Sequence, residues 1–216
     1  MKIIVDAQRN RGLTLADVLV VVVTLAVLVI LLAPILFGRE FPAQRINCMN
    51  DLKQIGLALQ IWEGNHSDQY PMRVSVTNGG AMEPVTGGDA LPAFQVMSNE
   101  LGTPKFLVCP ADRFCTEAKN FILTSKNVSY FISPECIEAN PQSIISGDDS
   151  FEVGRVVVKS GLLEISSNTP IRWSAARHKS VGNLLFADGS VLAFDNSGLT
   201  NWLASTNFAA TRLAIP

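Results

Sequence analysis

The side chains able to do covalent or metal chemistry are few and widely spaced. There are four cysteines, Cys48, Cys109, Cys115 and Cys136, and two histidines, His66 and His178. No two cysteines show the two-residue spacing of zinc ribbons or thioredoxin-like redox centres. They can instead pair as disulfides, in three ways, or remain buried thiols. His178 is followed by nine residues and then Asp188-Gly189. An imidazole and a carboxylate meeting across a turn could act as an acid–base pair or start a metal site. No second ligand stands at a recognised metal spacing, so the simpler reading has His178 hydrogen-bonding a loop while Asp188 makes the turn. Gly147-Asp148-Asp149-Ser150 could offer oxygens to Ca²⁺, but a solvated turn is the better reading. No metal or cofactor is expected.

The sequence has no nucleophile elbow, phosphate loop, dinucleotide fingerprint or metalloprotease histidine pair. A membrane-anchored enzyme built on His178, Asp188 and Asp148 or Asp149 is therefore the weakest functional reading, and the chain is read as a non-enzyme. Seventeen Lys+Arg stand against 19 Asp+Glu, for a formal net charge of -2 and a pI near 5.7. Nucleic acid is not an expected partner, because phosphate affinity needs clustered cations.

Charged residues make up only 17% of the chain, against about 25% in average soluble domains. The deficit is concentrated near the start, where Val18 to Gly38 runs 21 residues without a formal charge. Such a helix spans the roughly 30 Å apolar core of a bilayer. A cleaved secretory signal fits less well: its apolar region is about 7 to 15 residues long and ends at a small-x-small site. Lys2, Arg9 and Arg11 precede the run, which favours a cytoplasmic N-terminus and an outer domain beyond the membrane.

Asp17 stands at the edge of this run, where a carboxylate is costly unless paired or placed on a helical first turn. Read as one unit, Arg11-Gly12-Leu13-Thr14-Leu15-Ala16-Asp17-Val18 resembles the type IV prepilin and type II secretion pseudopilin signature. The resemblance implies cleavage after Gly12 by a prepilin peptidase and N-methylation of Leu13 by the same enzyme. It also implies assembly through the N-terminal helix, with Thr14, Asp17 and Pro34 as assembly residues. Asp17 occupies the family's glutamate position, where the acid neutralises a neighbouring subunit's terminal amine; burying either charge alone would be costly. Pro34 falls where pilin-like helices often carry a proline that kinks or loosens the chain. A helix ending near Pro34 and Gly38 is the alternative.

From Arg45 to Trp62, the residues Ile46, Met49, Leu52, Ile55, Leu59 and Trp62 recur every three or four positions, predicting an amphipathic helix that stops at Gly64 to Asp68. A bend is expected at Gly38 to Pro42. Strand-like runs follow at Phe106–Cys109, Val128–Ile132, Ser143–Ser146 and Val153–Val158. The clearest hairpin joins Asn183–Ala187 to Ser190–Phe194, with Asp188-Gly189 supplying positive φ angles. Gly79-Gly80 and Gly87-Gly88 flank a polar stretch read as a surface loop.

The segments Cys48–Leu59, Met97–Leu101, Thr103–Asp112, Asn127–Phe131 and His178 to Gly189 resemble pilin-like proteins common in planctomycete and verrucomicrobial bacteria. That resemblance implies Cys48–Cys109 as a disulfide, with Cys115–Cys136 as the remaining pair. The expected fold class is α+β: a long N-terminal helix, membrane-spanning in its first half, packed on a small antiparallel sheet. Its divisions are a leader at 1–12, a transmembrane segment at 13–38, an outer helix at 39–66 and a periplasmic head at 67–216. The implied partners are the peptidase, other pilin or pseudopilin subunits, an inner-membrane assembly platform and the bilayer. The expected function is a filament subunit of a pseudopilus or pilus; a non-assembling, membrane-anchored ligand-binding protein is the alternative.

Overall fold

The computed structural model describes residues 14–37, 40–136, 140–205 and 211–216. The chain divides into two units, Met1–Glu40 and Phe41–Pro216. In the first, helix α1 runs Leu15–Phe37 and passes through Pro34, so the helix does not end at the proline. At about 1.5 Å per residue it is about 34 Å long. Its Leu15–Leu32 window has a mean hydropathy of 3.1 and no buried share, making it a candidate membrane-spanning helix.

The second unit is α+β. Helix α2 spans Glu40–Gly64, so the Glu40 to Pro42 part of the expected Gly38 to Pro42 bend is helical, and Gly38 and Arg39 fall outside the described residues. Short helices follow: α3 (Met82–Thr86), α4 (Leu91–Val96) and α5 (Ser98–Leu101). Among the described residues nine strands come next: β1 (Tyr130–Ile132), β2 (Ile144–Asp148), β3 (Phe151–Val153), β4 (Val156–Val157), β5 (Gly161–Ile165), β6 (Ile171–Trp173), β7 (Val181–Phe186), β8 (Val191–Asp195) and β9 (Thr211–Ile215), with α6 (Asn196–Ser205) before the last. A six-stranded sheet has the order β5-β9-β1-β2-β7-β8, and a smaller one the order β4-β3-β6; every described pairing is antiparallel.

Both faces of the large sheet are covered, so its central strands β1, β2 and β7 are buried on both sides nearly throughout, their polar Ser146, Asp148 and Asn183 included. Tyr130, Ile132, Leu185 and Ala214 join a core with α2, α3 and α4. Their neighbours Phe131, Leu184, Phe186 and Leu213 join a second core with β3, β6 and α6. On α2, Leu52, Ile55, Leu59 and Trp62 are buried as the periodicity predicts, together with Cys48 and Ala58. Ile46 is 54% exposed and does not belong to that face. A Cβ at Gly56 would meet Leu185 at 2.9 Å, so the glycine lets α2 lie close on β7.

Several local expectations are corrected. Phe106–Cys109 is not a strand; Pro104 starts a 3-10 turn over Pro104–Leu107, capped by the Thr103 side chain. Val153–Val158 is two strands, β3 and β4, folded back at Gly154-Arg155, both with positive φ. The segment between the glycine pairs is α3, with Ala81 and Val85 in the core, not a surface loop. The β7–β8 hairpin forms as expected. Its turn differs: only Gly189 has positive φ, at 79°, while the Gly189 amide donates to Phe186 O and the Phe186 amide to Ser190 O. This is a wider turn closed by a glycine bulge.

Candidate functional site

Two chain segments far apart in sequence build the most polar part of the interior. The first is the loop Cys109 to Cys115 after the 3-10 turn. It is closed by the Asp112 amide donating to Cys109 O and the Phe114 amide donating to Asp112 Oδ1. The second is the turn before β7, where His178, Lys179 and Ser180 have φ of 49°, 56° and 64°. Three successive left-handed residues other than glycine are strained, and such strain persists only where surrounding contacts fix it.

Arg177 and His178 lead into that turn and join the two segments. The Arg177 guanidinium donates to Asp112 Oδ2 and, at 3.0 Å, to Ser129 O. It also lies 2.7 Å from Asp149 Oδ1. Ser129 Oγ donates to Asp112 Oδ2 at 2.8 Å. Burial would raise the Asp112 carboxyl, but Arg177 and the hydrogen bonds from Phe114 and Ser129 outweigh it and hold the group below the usual range. Burial opposes charge on Arg177 too, yet Asp149, Asp148 and Asp112 together raise it further, so it stays charged. For Asp149 burial prevails over Arg177, and its carboxyl is raised.

Asp148 is fully buried on β2. Its Oδ2 accepts from the Asn183 backbone amide at 2.8 Å and from Asn183 Nδ2 at 2.9 Å, binding β2 to β7. Burial, only partly offset by Arg177, pushes its carboxyl up to about 7. Gly147 to Ser150 is thus a buried strand end and its turn, with Asp148 enclosed, and not a solvated turn.

The cysteines divide into two kinds. Cys48 on α2 and Cys109 form a disulfide, as the resemblance implies. Cys115 and Cys136 do not bond to each other, which corrects the second implied pair. Cys115 Sγ instead donates to Val128 O at 3.3 Å. Burial and the neighbouring Asp112 push its thiol up to about 11, so it stays protonated and a weak nucleophile. Cys136 is a buried thiol.

His178 and Asp188 do not meet through any hydrogen bond or ion pair among the described residues. His178 is 7% exposed and places Nε2 at 3.2 Å from Cys109 Sγ. Burial, with Arg177 and Arg45 nearby, pulls its imidazole down to about 4, so it is neutral at pH 7. Asp188 is exposed and accepts from the Ser190 amide at 2.8 Å, making the hairpin turn. A Cβ at Gly189 would lie 3.1 Å from Gln60 Nε2, so the hairpin tip stands against α2.

A cavity of about 420 Å³ opens beside Arg177, with Asp112, Cys115 and Asp149 on its polar side and Phe114 and Val157 on its apolar side. Phe114 is 83% exposed. A second cavity of about 450 Å³, lined by Arg155, Arg172 and Thr200, contains none of the residues singled out by sequence.

At the other end of the described chain, Thr14 caps α1. The Thr14 amide and Oγ1 donate to Asp17 Oδ2 at 2.9 and 2.8 Å, and the Asp17 amide donates back to Thr14 Oγ1 at 3.3 Å. This reciprocal pair is a capping box with aspartate in the acid position. Gly12 and Leu13 lie outside the described residues.

The Arg177 hub with Asp112, Ser129 and Asp149 was not legible as a unit. The only sequence signals were the adjacency of Arg177 to His178 and the location of Asp112 in a family-like segment. The chain matches no protein-family model, no curated protein and no solved structure at a significant level.

Proposed function

We propose that the chain is a pilin-like structural subunit: cleaved after Gly12, N-methylated at Leu13, anchored by α1 and assembled through that helix into a pseudopilus or pilus-like filament. The observation that carries this reading is the Leu15–Leu32 window, which is strongly apolar and has no buried share. Such a surface needs lipid or other apolar helices around it. Helix association in lipid depends on close packing and polar contacts, so an acid at the head of α1 is suited to specify neighbours. In this reading the N-terminus is cytoplasmic and the α+β unit periplasmic, a compartment that sustains the Cys48–Cys109 bond. The function is assembly, not catalysis.

The cavity beside Phe114 supports a second reading, a membrane-anchored ligand-binding protein that does not assemble. Intact-mass and N-terminal peptide analysis of protein taken from its native membranes separates the two. A chain starting at Leu13, with or without a methyl group, supports the filament reading. A chain still starting at Met1 overturns it in favour of the anchored binder.

A further inference from the structure

We propose that Cys48, Cys109 and His178 form a two-state site: a cross-link when oxidised and, after reduction by a dithiol, a three-ligand centre for one thiophilic d¹⁰ cation, Zn²⁺ foremost. The donor atoms come from α2, from the loop after the 3-10 turn and from the left-handed turn before β7, and all lie within 4.8 Å of one another. All three residues are buried. Zinc binds thiolate sulfur at about 2.3 Å and imidazole nitrogen at about 2.0 Å. Donors around one ion therefore stand roughly 3.5 to 4 Å apart, and His178 Nε2 is already 3.2 Å from Cys109 Sγ. The main adjustment is that the two sulfurs must separate, which breaking their bond permits.

The imidazole itself points to a ligand. With the disulfide formed, Nε2 faces a bonded sulfur, a weak hydrogen-bond partner, and the buried Nδ1 has no hydrogen-bond partner among the described residues. A buried polar ring so poorly satisfied, held on a strained left-handed backbone, calls for a reason beyond packing. Charge also fits: two thiolates and a neutral imidazole around Zn²⁺ leave the centre neutral, which limits the cost of burial. A fourth position remains for water.

The chemistry balances. A dithiol passes two electrons to the Cys48–Cys109 bond and becomes a cyclic disulfide, and its two protons give the Cys48 and Cys109 thiols. Zn²⁺ then displaces those two protons to solvent and takes the sulfurs as thiolates. The inference is independent of the filament reading.

The test uses the full chain in detergent, prepared oxidised or reduced with a dithiol that is then removed without air, and titrated with Co²⁺. The reduced chain should bind one equivalent with a thiolate-to-cobalt charge-transfer band, displaced by Zn²⁺, and the oxidised chain should show no band. Cys115→Ser with Cys136→Ser should bind as before, while His178→Ala should weaken binding at least about tenfold. Three results would overturn the proposal: no band in the reduced chain, folded or not by circular dichroism; unchanged affinity in His178→Ala; or the same band after Cys48→Ser with Cys109→Ser.

Discussion

Arg177 and Asp112 are hydrogen-bonded across 65 residues of sequence, and both are nearly enclosed, with side chains 9% and 2% exposed. Breaking such a buried pair from one side strands a charge, which typically costs about 3 to 5 kcal/mol. Arg177→Met should therefore lower the thermal midpoint steeply, because Asp112 and Asp149 both lose their cation. Lysine cannot reach Asp112, Ser129 and Asp149 with one planar fork, so Arg177→Lys should recover little of the loss. Adding Asp112→Asn to Arg177→Met should cost less than the sum of the single changes. Additive losses in a denaturation cycle would show that the pair is not coupled.

Asp148 and His178 pull the pH dependence of stability in opposite directions. The Asp148 carboxyl is raised from 3.8 to about 7 by burial, with Arg177 opposing and Asp149 adding to the rise. The folded state then holds the proton longer, so this contribution is full below about pH 4 and is lost as pH rises through about 7. His178 is lowered from 6.5 to about 4, so its contribution is full above about 6.5 and is lost as pH falls through about 4. Each slope is at most about 1.4 kcal/mol per pH unit. Relative to wild type, Asp148→Asn should gain stability steadily from pH 4 to 7, since the amide keeps an acceptor for Asn183. His178→Gln should gain most at pH 4 and progressively less toward 6.5. Urea midpoints across this range check both trends, and parallel curves for all three proteins would refute the assignment.

Much of the framework is legible in the sequence because it rests on local rules. The apolar α1, the buried face of α2 and the β7–β8 hairpin follow from periodicity and turn chemistry. What stayed hidden depends on distant partners. Phe106–Cys109 reads as a strand by composition, but Pro104 and the Thr103 cap turn it into a 3-10 helix. Asp148-Asp149 reads as a solvated turn because nothing nearby reveals that Asn183 and Arg177 will enclose it. Cys115 and Cys136 invite pairing by number alone, whereas Val128 O takes the Cys115 thiol.

Glycines separate the same way. Gly189 announces itself in Asp188-Gly189, yet Gly182 has the tighter environment. A Cβ at Gly182 would sit 2.3 Å from the Trp173 ring, which is itself stacked on Phe151 at a 4.5 Å centroid distance. Gly182→Ala should therefore displace the indole and cost about 1 to 3 kcal/mol or more, as overpacking does. Gly189→Ala, limited by its positive φ and the flexible end of Gln60, should cost about 1 kcal/mol. Chemical denaturation with tryptophan fluorescence would rank the two, and a larger loss at Gly189 would contradict the packing argument.

In the filament reading proposed above Asp17 would have two roles to disentangle, because the carboxylate that would meet a neighbouring subunit's amine is already engaged with Thr14. Asp17→Ala removes both the cap and the charge; insertion of α1 should survive, since its apolar length is untouched, and assembly should fail. Asp17→Asn separates the roles, because an amide oxygen can still accept from Thr14 but cannot neutralise an amine. It should insert and fold normally yet enter filaments poorly, and Asp17→Glu should restore entry. Membrane fractionation reads insertion, and sheared filaments read assembly. Normal incorporation of Asp17→Asn would reduce Asp17 to a helix cap and remove the charge-pairing role from the filament model.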